Sequence, residues 1–159
     1  MTTLTIIVAL LTTVQLAGVY GLFFTFSNSV LPGLDAIDPE QAVRAMRSIN
    51  IKIVNPLFML HFLVTLVTGA ATGLMLMAQS ETGPAIYFFA ATGVYLIVFM
   101  ITGSQNIPLN NALEKNTSTD YRQVWAEFSP KWLRLNHVRT FLCLVSVVLA
   151  GLGLFTWNT

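Results

Sequence analysis

AIYFFAATGVYLIVFMITGSQNIPLNNALEKN, residues 85–116, decides what kind of chain this is. Its first part is almost purely apolar and approaches the roughly 20 residues with which a helix crosses a bilayer. It then turns into Asn106, Asn110, Asn111 and Asn116, with Pro108 among them. Each asparagine offers two donors and a carbonyl acceptor without net charge. Amides at the end of an apolar helix therefore suit two tasks, capping helix ends and holding a polar ligand at low desolvation cost.

The rest of the chain agrees with a membrane setting. Of 159 residues, 55% are hydrophobic and only 9% charged, where a soluble domain carries about a quarter charged. The mean hydropathy is +0.70. Apolar runs at 4–27, 53–78, 85–104 and 136–157 predict four spans in a single domain, 1–159. The expected fold class is an all-α integral membrane four-helix bundle. MTTLTIIVALL at the N-terminus lacks the basic region of a secretory leader and reads as a permanent span. A net charge of +1 with no basic tract argues against nucleic acid as a partner. Cys143 is the only cysteine, which excludes an intrachain disulfide or a cysteine metal site. No glycine-rich phosphate loop follows a strand-like segment, so a nucleotide cofactor is not expected.

Charge sets the orientation. Arg44, Arg47 and Lys52 lie between the first two spans. Lys115, Arg122, Lys131, Arg134 and Arg139 lie between the last two or just inside the fourth. The termini and the middle turn carry no lysine or arginine. The positive-inside rule then makes both long loops cytoplasmic and places both termini outside. Each long loop is expected to hold a short amphipathic interfacial helix. In the first, Asp38-Pro39-Glu40 reads as an N-cap with proline at the first helical position, with helix to about residue 49. In the second, Tyr121, Val124, Trp125 and Phe128 share one helical face.

Polar and small residues recur at helical spacing inside each span. They are Gln15, Gly18, Thr25 and Ser29; His61, Thr65, Thr68 and Thr72; Thr92, Tyr95, Phe99, Thr102 and Asn106; and Arg139, Cys143, Ser146, Ala150 and Gly153. Lipid cannot satisfy such groups, so the stripes should face the bundle interior. Close helix packing accounts for the threonines and glycines, and the same stripes would also suit a homo-oligomer. The inner helix ends gather Asn28, Asn50, Asn55, Asn106, Asn110 and Asn136. Pro56 and Pro108 free nearby backbone carbonyls there, so the amides either cap helices or line a pocket at the inner mouth.

His61 lies roughly 13 Å into the second span at 1.5 Å per residue. An ionisable group at that depth is a functional candidate, although a histidine bonded to a threonine is the simpler alternative. His137 and Arg139 stand about 200° apart on a continuous helix. Asn136 with Arg139 is therefore the more economical inward pair.

Four segments in order, GVYGLFFTFSNSVLPGL, AMRSINIKIVNPLF, NIPLNNAL and WLRLNHVRT, resemble the anthrone oxygenase family of small four-span membrane proteins. The resemblance covers nearly the whole chain. It implies a cofactor-independent oxygenase that oxidises a hydrophobic aromatic of anthrone or quinone type. An anthrone has an acidic methylene, and its enolate reacts with dioxygen without a metal. Carrying the motifs over marks Asn55, Asn106, Pro108, Asn110, Trp132, Asn136 and Arg139. In the catalysis this implies, neutral His61 or His137 is the candidate base. Arg139 with Asn55, Asn106, Asn110 and Asn136 would donate to the developing negative charge. Tyr95, Trp125 and Trp132 would supply aromatic walls.

Two other classes compete. His61 and His137 could be axial ligands of haem b, or the bundle could bind a quinone. Alternatively the protein binds lipid or a hydrophobic compound without chemistry of its own. Its carboxylates, Asp35, Asp38, Glu40, Glu81, Glu114, Asp120 and Glu127, are confined to loops, which makes proton-coupled transport the weakest option.

Overall fold

The computed structural model describes residues 2–157, and among these residues it is helical apart from short connections. The helices are α1 (Thr3–Thr25), α2 (Leu31–Asp35), α3 (Pro39–Ile53), α4 (Pro56–Ala78), α5 (Thr82–Ile101), α6 (Ile107–Lys115) and α7 (Tyr121–Trp157). One π-helical turn, Phe26–Val30, joins α1 to α2, and another, Thr102–Asn106, joins α5 to α6. Four continuous helical segments are long and apolar enough to cross a membrane: Thr3–Asp35, Pro56–Ala78, Thr82–Lys115 and Tyr121–Trp157.

These segments form an up-and-down four-helix bundle in which α1 packs on α4, α4 on α5, α5 on α7 and α7 on α1. Small residues allow the close approaches. A Cβ on Gly153 would stand 2.9 Å from the ring of Phe88. Large apolar side chains such as Leu57 and Phe155 remain exposed on the outer faces, where lipid covers them in a membrane.

The polar stripes of α4, α5 and α7 face inward, but in the first span only Gln15 does so: Gly18, Thr25 and Ser29 are exposed, and Thr25 satisfies its hydroxyl on the Gly21 carbonyl of its own helix. The buried polar residues of α1, Thr5, Thr12 and Gln15, lie on the next face round, and Thr12 and Gln15 join α4 in a hydrogen-bonded seam. Thr68 donates to Gln15 Oε1 at 2.7 Å, and the hydroxyls of Thr12 and Thr72 meet at 3.2 Å. At the tight turn between α4 and α5, Ser80 takes a positive φ of 63°, and the Glu81 amide closes back on the Leu76 carbonyl. That bond satisfies a carbonyl which the helix end would otherwise leave free.

At the opposite end, where the two long connections lie, a second apolar core forms. Ala42, Val43 and Met46 of α3 pack with Leu31, Leu113, Val124, Trp125 and Phe128. As the sequence predicts, Asp38 caps α3, accepting from the amides of Glu40 and Gln41. Arg47 donates to the carbonyls of Leu113 and Asn116 and so ties α3 to the end of α6.

The interfacial helix of the second loop is not separate. It runs without a break through Pro130 into the fourth span, giving a helix of 37 residues. At 1.5 Å per residue this is about 55 Å long, well beyond a hydrocarbon core of about 30 Å. A proline costs one backbone donor and crowds the preceding turn. Here Val124, Trp125 and Phe128 before it and Trp132 after it are all buried against the same core, which holds the helix together.

Candidate functional site

A cavity of about 190 Å³ lies where the bundle meets this second core. Its walls are aromatic: Phe23 from α1, Phe26 from the first π turn, Phe58 and Phe62 from α4, Phe99 from α5 and Trp132 from α7. Its polar lining is Asn50, Thr102, Asn106, Asn110 and Arg139. Both π turns contribute. Each precedes an X-Pro pair, Leu31-Pro32 or Ile107-Pro108, and the proline ring clashes with a carbonyl one turn earlier. Widening that turn to i→i+5 bonding relieves the clash, and the second π turn brings Thr102, Gly103 and Asn106 to the cavity.

Arg139 dominates the electrostatics. It is 3% exposed, yet among the described residues the only ion pair is Arg44 with Glu40, on the surface of α3. The guanidinium is held by neutral groups instead. Nη2 donates to Asn136 Oδ1 at 2.8 Å, and Nη1 donates to Thr102 Oγ1 at 3.3 Å. The group lies 4.2 Å over the ring of Phe23 and 5.3 Å from that of Trp132, so ring quadrupoles supply part of the compensation. Nε has no partner. Asn136 fixes the assembly, because its Nδ2 donates to the Phe23 carbonyl and to Ser27 Oγ, both at 2.8 Å.

Asn106 is 2% exposed, and neither its Nδ2 nor its Oδ1 has a protein partner. Asn50 Nδ2 is also buried without one. A buried polar group left unpaired costs about 1–3 kcal/mol. Three such residues on one cavity therefore favour a ligand that accepts hydrogen bonds. Asn110 is oriented by Trp132, whose Nε1 donates to its Oδ1 at 2.9 Å.

The other candidates lie elsewhere. Asn55 is the N-cap of α4, accepting from the Phe58 amide and donating to the carbonyls of Lys52 and Ile53. Tyr95 sits behind the cavity wall, donating to the Phe62 carbonyl at 3.1 Å and meeting that ring edge-on. Trp125 and Ser129 both donate to Asp35 Oδ1, at 2.8 and 2.7 Å, and pin α2 to α7. His61 faces α1, with Nε2 3.0 Å from the Gln15 carbonyl and the ring against Gly18. His137 points outward and is exposed. Neither histidine lines the cavity. Among the described residues, no cluster of three or more histidine, cysteine or acidic side chains is arranged to hold a metal.

The anthrone oxygenase family model matches residues 54–149, more than half of the chain, while searches of curated proteins and of solved structures found no match. The matched range contains Asn106, Asn110, Trp132 and Arg139 and leaves Phe23, Phe26 and Asn50 outside. This multi-pass helical membrane protein, with an aromatic cavity set against a buried arginine, belongs to the anthrone oxygenase family.

Proposed function

We propose that the protein is a cofactor-independent oxygenase that converts an anthrone-type aromatic to the corresponding quinone in this cavity, with the long-loop end on the cytoplasmic side. The observation that carries the reading is Arg139, a buried cation with an unpartnered Nε and no carboxylate partner, set on a cavity walled by aromatic rings. A flat substrate stacks among the phenylalanines, and the oxygen of its enolate takes the place of the missing anion. Removing an anion-directed donor from such a site costs a factor of about 10²–10³ in rate.

The chemistry needs no base inside the cavity. A neighbouring cation favours the ionised form of an acid, so Arg139 with Asn106 and Asn50 promotes loss of the methylene proton. The proton passes to water at the adjoining groove, where Asn50 and Asn110 continue into Asn111 and Glu114. The enolate carbanion gives its electrons to dioxygen, a carbon–oxygen bond forms at the former methylene, and a proton completes a hydroperoxide. Elimination of water from that carbon leaves the second carbonyl, so one anthrone and one dioxygen yield one anthraquinone and one water. The unpaired donors on the lining are the amides of Asn50 and Asn106 and the Nε of Arg139, groups that donate to an anion more readily than they ligate a metal. Lys52, Lys115 and Arg122 at the long-loop end support the cytoplasmic placement through the positive-inside rule.

The test is anthrone consumption, with oxygen uptake, by purified protein in lipid nanodiscs. Anthraquinone should form with a stoichiometry of one dioxygen, and Arg139→Gln should remove at least 99% of the rate. Wild-type protein that is no faster than empty nanodiscs would refute the proposal.

A further inference from the structure

The cavity is not closed on all sides. Val54 between α3 and α4, Met59 and Leu63 in the first turns of α4, and Gly103 and Ile107 across from them, both line it and are exposed. A side chain that does both stands on a rim. These five residues carry no charge and no side-chain hydrogen-bonding group. Beyond the rim on the membrane-spanning side the surface is also apolar, with Leu57 79% exposed, Leu60 62% and Met100 53%, and the exposed polar neighbours of Gly103 are Ser104 and Gln105, toward the long-loop end. Exposed apolar surface of this kind on a spanning segment belongs against acyl chains. The groove that includes Asn111 and Glu114 adjoins the cavity and shares Asn50, Val54, Ile107 and Asn110 with it, so the part of the rim that belongs to the cavity alone is Met59, Leu63 and Gly103.

We infer, on the reading that the cavity holds an aromatic ligand, that it is loaded from within the bilayer, through a lateral opening between the start of α4 and the π turn after α5. The ligand class is then a flat phenol or enol already dissolved in lipid. It enters ring-first past Met59 and Gly103 and turns its oxygen toward Asn106 and Arg139. Gly103 keeps the opening clear. A Cβ built there meets nothing within 4 Å, unlike Gly153 and Gly73, whose Cβ atoms would strike the rings of Phe88 and Phe89. A side chain at Gly103 is therefore compatible with the fold and obstructs the passage.

The experiment uses 2-naphthol as a non-oxidised probe with full-length protein in nanodiscs, following quenching of tryptophan fluorescence by stopped flow. The variants are Gly103→Phe and Met59→Phe, which narrow the opening from opposite sides, with Gly151→Phe on an exposed face of α7 as control. The expected result is that at least one rim variant slows both association and dissociation by tenfold or more, while the control exchanges like wild type. The wild-type association rate should also follow the ratio of probe to lipid. Wild-type exchange rates in both rim variants, with binding intact, would overturn lateral loading and leave the cavity's role standing. Absence of saturable 2-naphthol binding by wild type would overturn both. The opposed substitutions keep the test decisive, because if one ring turns inward and fills the cavity, the other variant reads the opening.

Discussion

Replacing Asn106 with leucine should make the protein more stable and less active. Asn106 is 2% exposed, and neither its amide nitrogen nor its oxygen meets a protein partner. Two unpaired polar atoms cost about 1–3 kcal/mol each, and water in the cavity recovers part of that. Leucine removes the cost and adds apolar contact with the aromatic walls, so a net gain of about 1–3 kcal/mol is expected. For a chain of this size each kcal/mol raises Tm by about 2–4 °C. The same change removes a donor aimed at the substrate anion and should lower anthrone turnover about 100-fold.

Asn136→Leu provides the opposite sign. Asn136 is fully buried with three hydrogen bonds, to Phe23, Ser27 and Arg139. Its loss leaves a buried guanidinium nitrogen without an acceptor and takes one of two bonds from the Phe23 carbonyl, which keeps the Phe26 amide, and should cost about 3–5 kcal/mol. Thermal unfolding in detergent, followed by circular dichroism, measures both variants beside the turnover assay. If Asn106→Leu lost stability, or kept full turnover, the assignment of Asn106 as an unsatisfied ligand-facing amide would be wrong.

Other expectations follow from the same structure. The double variant His61→Ala/His137→Ala should retain anthrone turnover within about threefold, since loss of a true general base costs 10²–10⁴; a hundredfold loss would restore a histidine to the mechanism. Gly153→Ala should destabilise the bundle by about 1–3 kcal/mol, because its Cβ would stand 2.9 Å from the ring of fully buried Phe88 in a packed interior. Unfolding of that variant at the wild-type temperature would contradict the packing. Ser80→Gly should stabilise by about 1 kcal/mol, since serine at φ 63° takes a conformation that glycine adopts without cost. A drop in Tm would show that the serine hydroxyl earns its place.

The spans were legible because lipid solvation leaves a long apolar run that loops cannot imitate. The inward pairing of Asn136 and Arg139 was legible from helical angle alone, with His137 turned away by the same geometry. His61 was harder. Its stripe with Thr65, Thr68 and Thr72 does face inward, but toward α1, where Gln15 and Thr12 receive it. Periodicity tells which face of a helix is buried and not which neighbour covers it. The cavity face of α4 carries Phe58 and Phe62 instead, and in an apolar helix such rings look the same as lipid-facing ones. Asn55 shows the ambiguity of amides, since capping and ligand binding require the same atoms and only the location of a free amide hydrogen separates them. The π turns were not readable either. Pro32 and Pro108 mark where an α-helix is strained, but whether it breaks or widens depends on packing beyond the proline. The same holds at Pro130, where the interfacial helix and the fourth span, expected as two helices, continue as one.

The central claim is that Arg139 and its neighbouring amides stabilise an aromatic enolate. Anaerobic mixing of anthrone with the protein in nanodiscs tests it most directly, because it separates ionisation from oxidation. Wild-type protein should show the enolate absorption at neutral pH and discharge it to anthraquinone when oxygen is admitted, while Arg139→Gln shows only the neutral anthrone spectrum. A wild-type complex that holds anthrone in its neutral form would contradict the account.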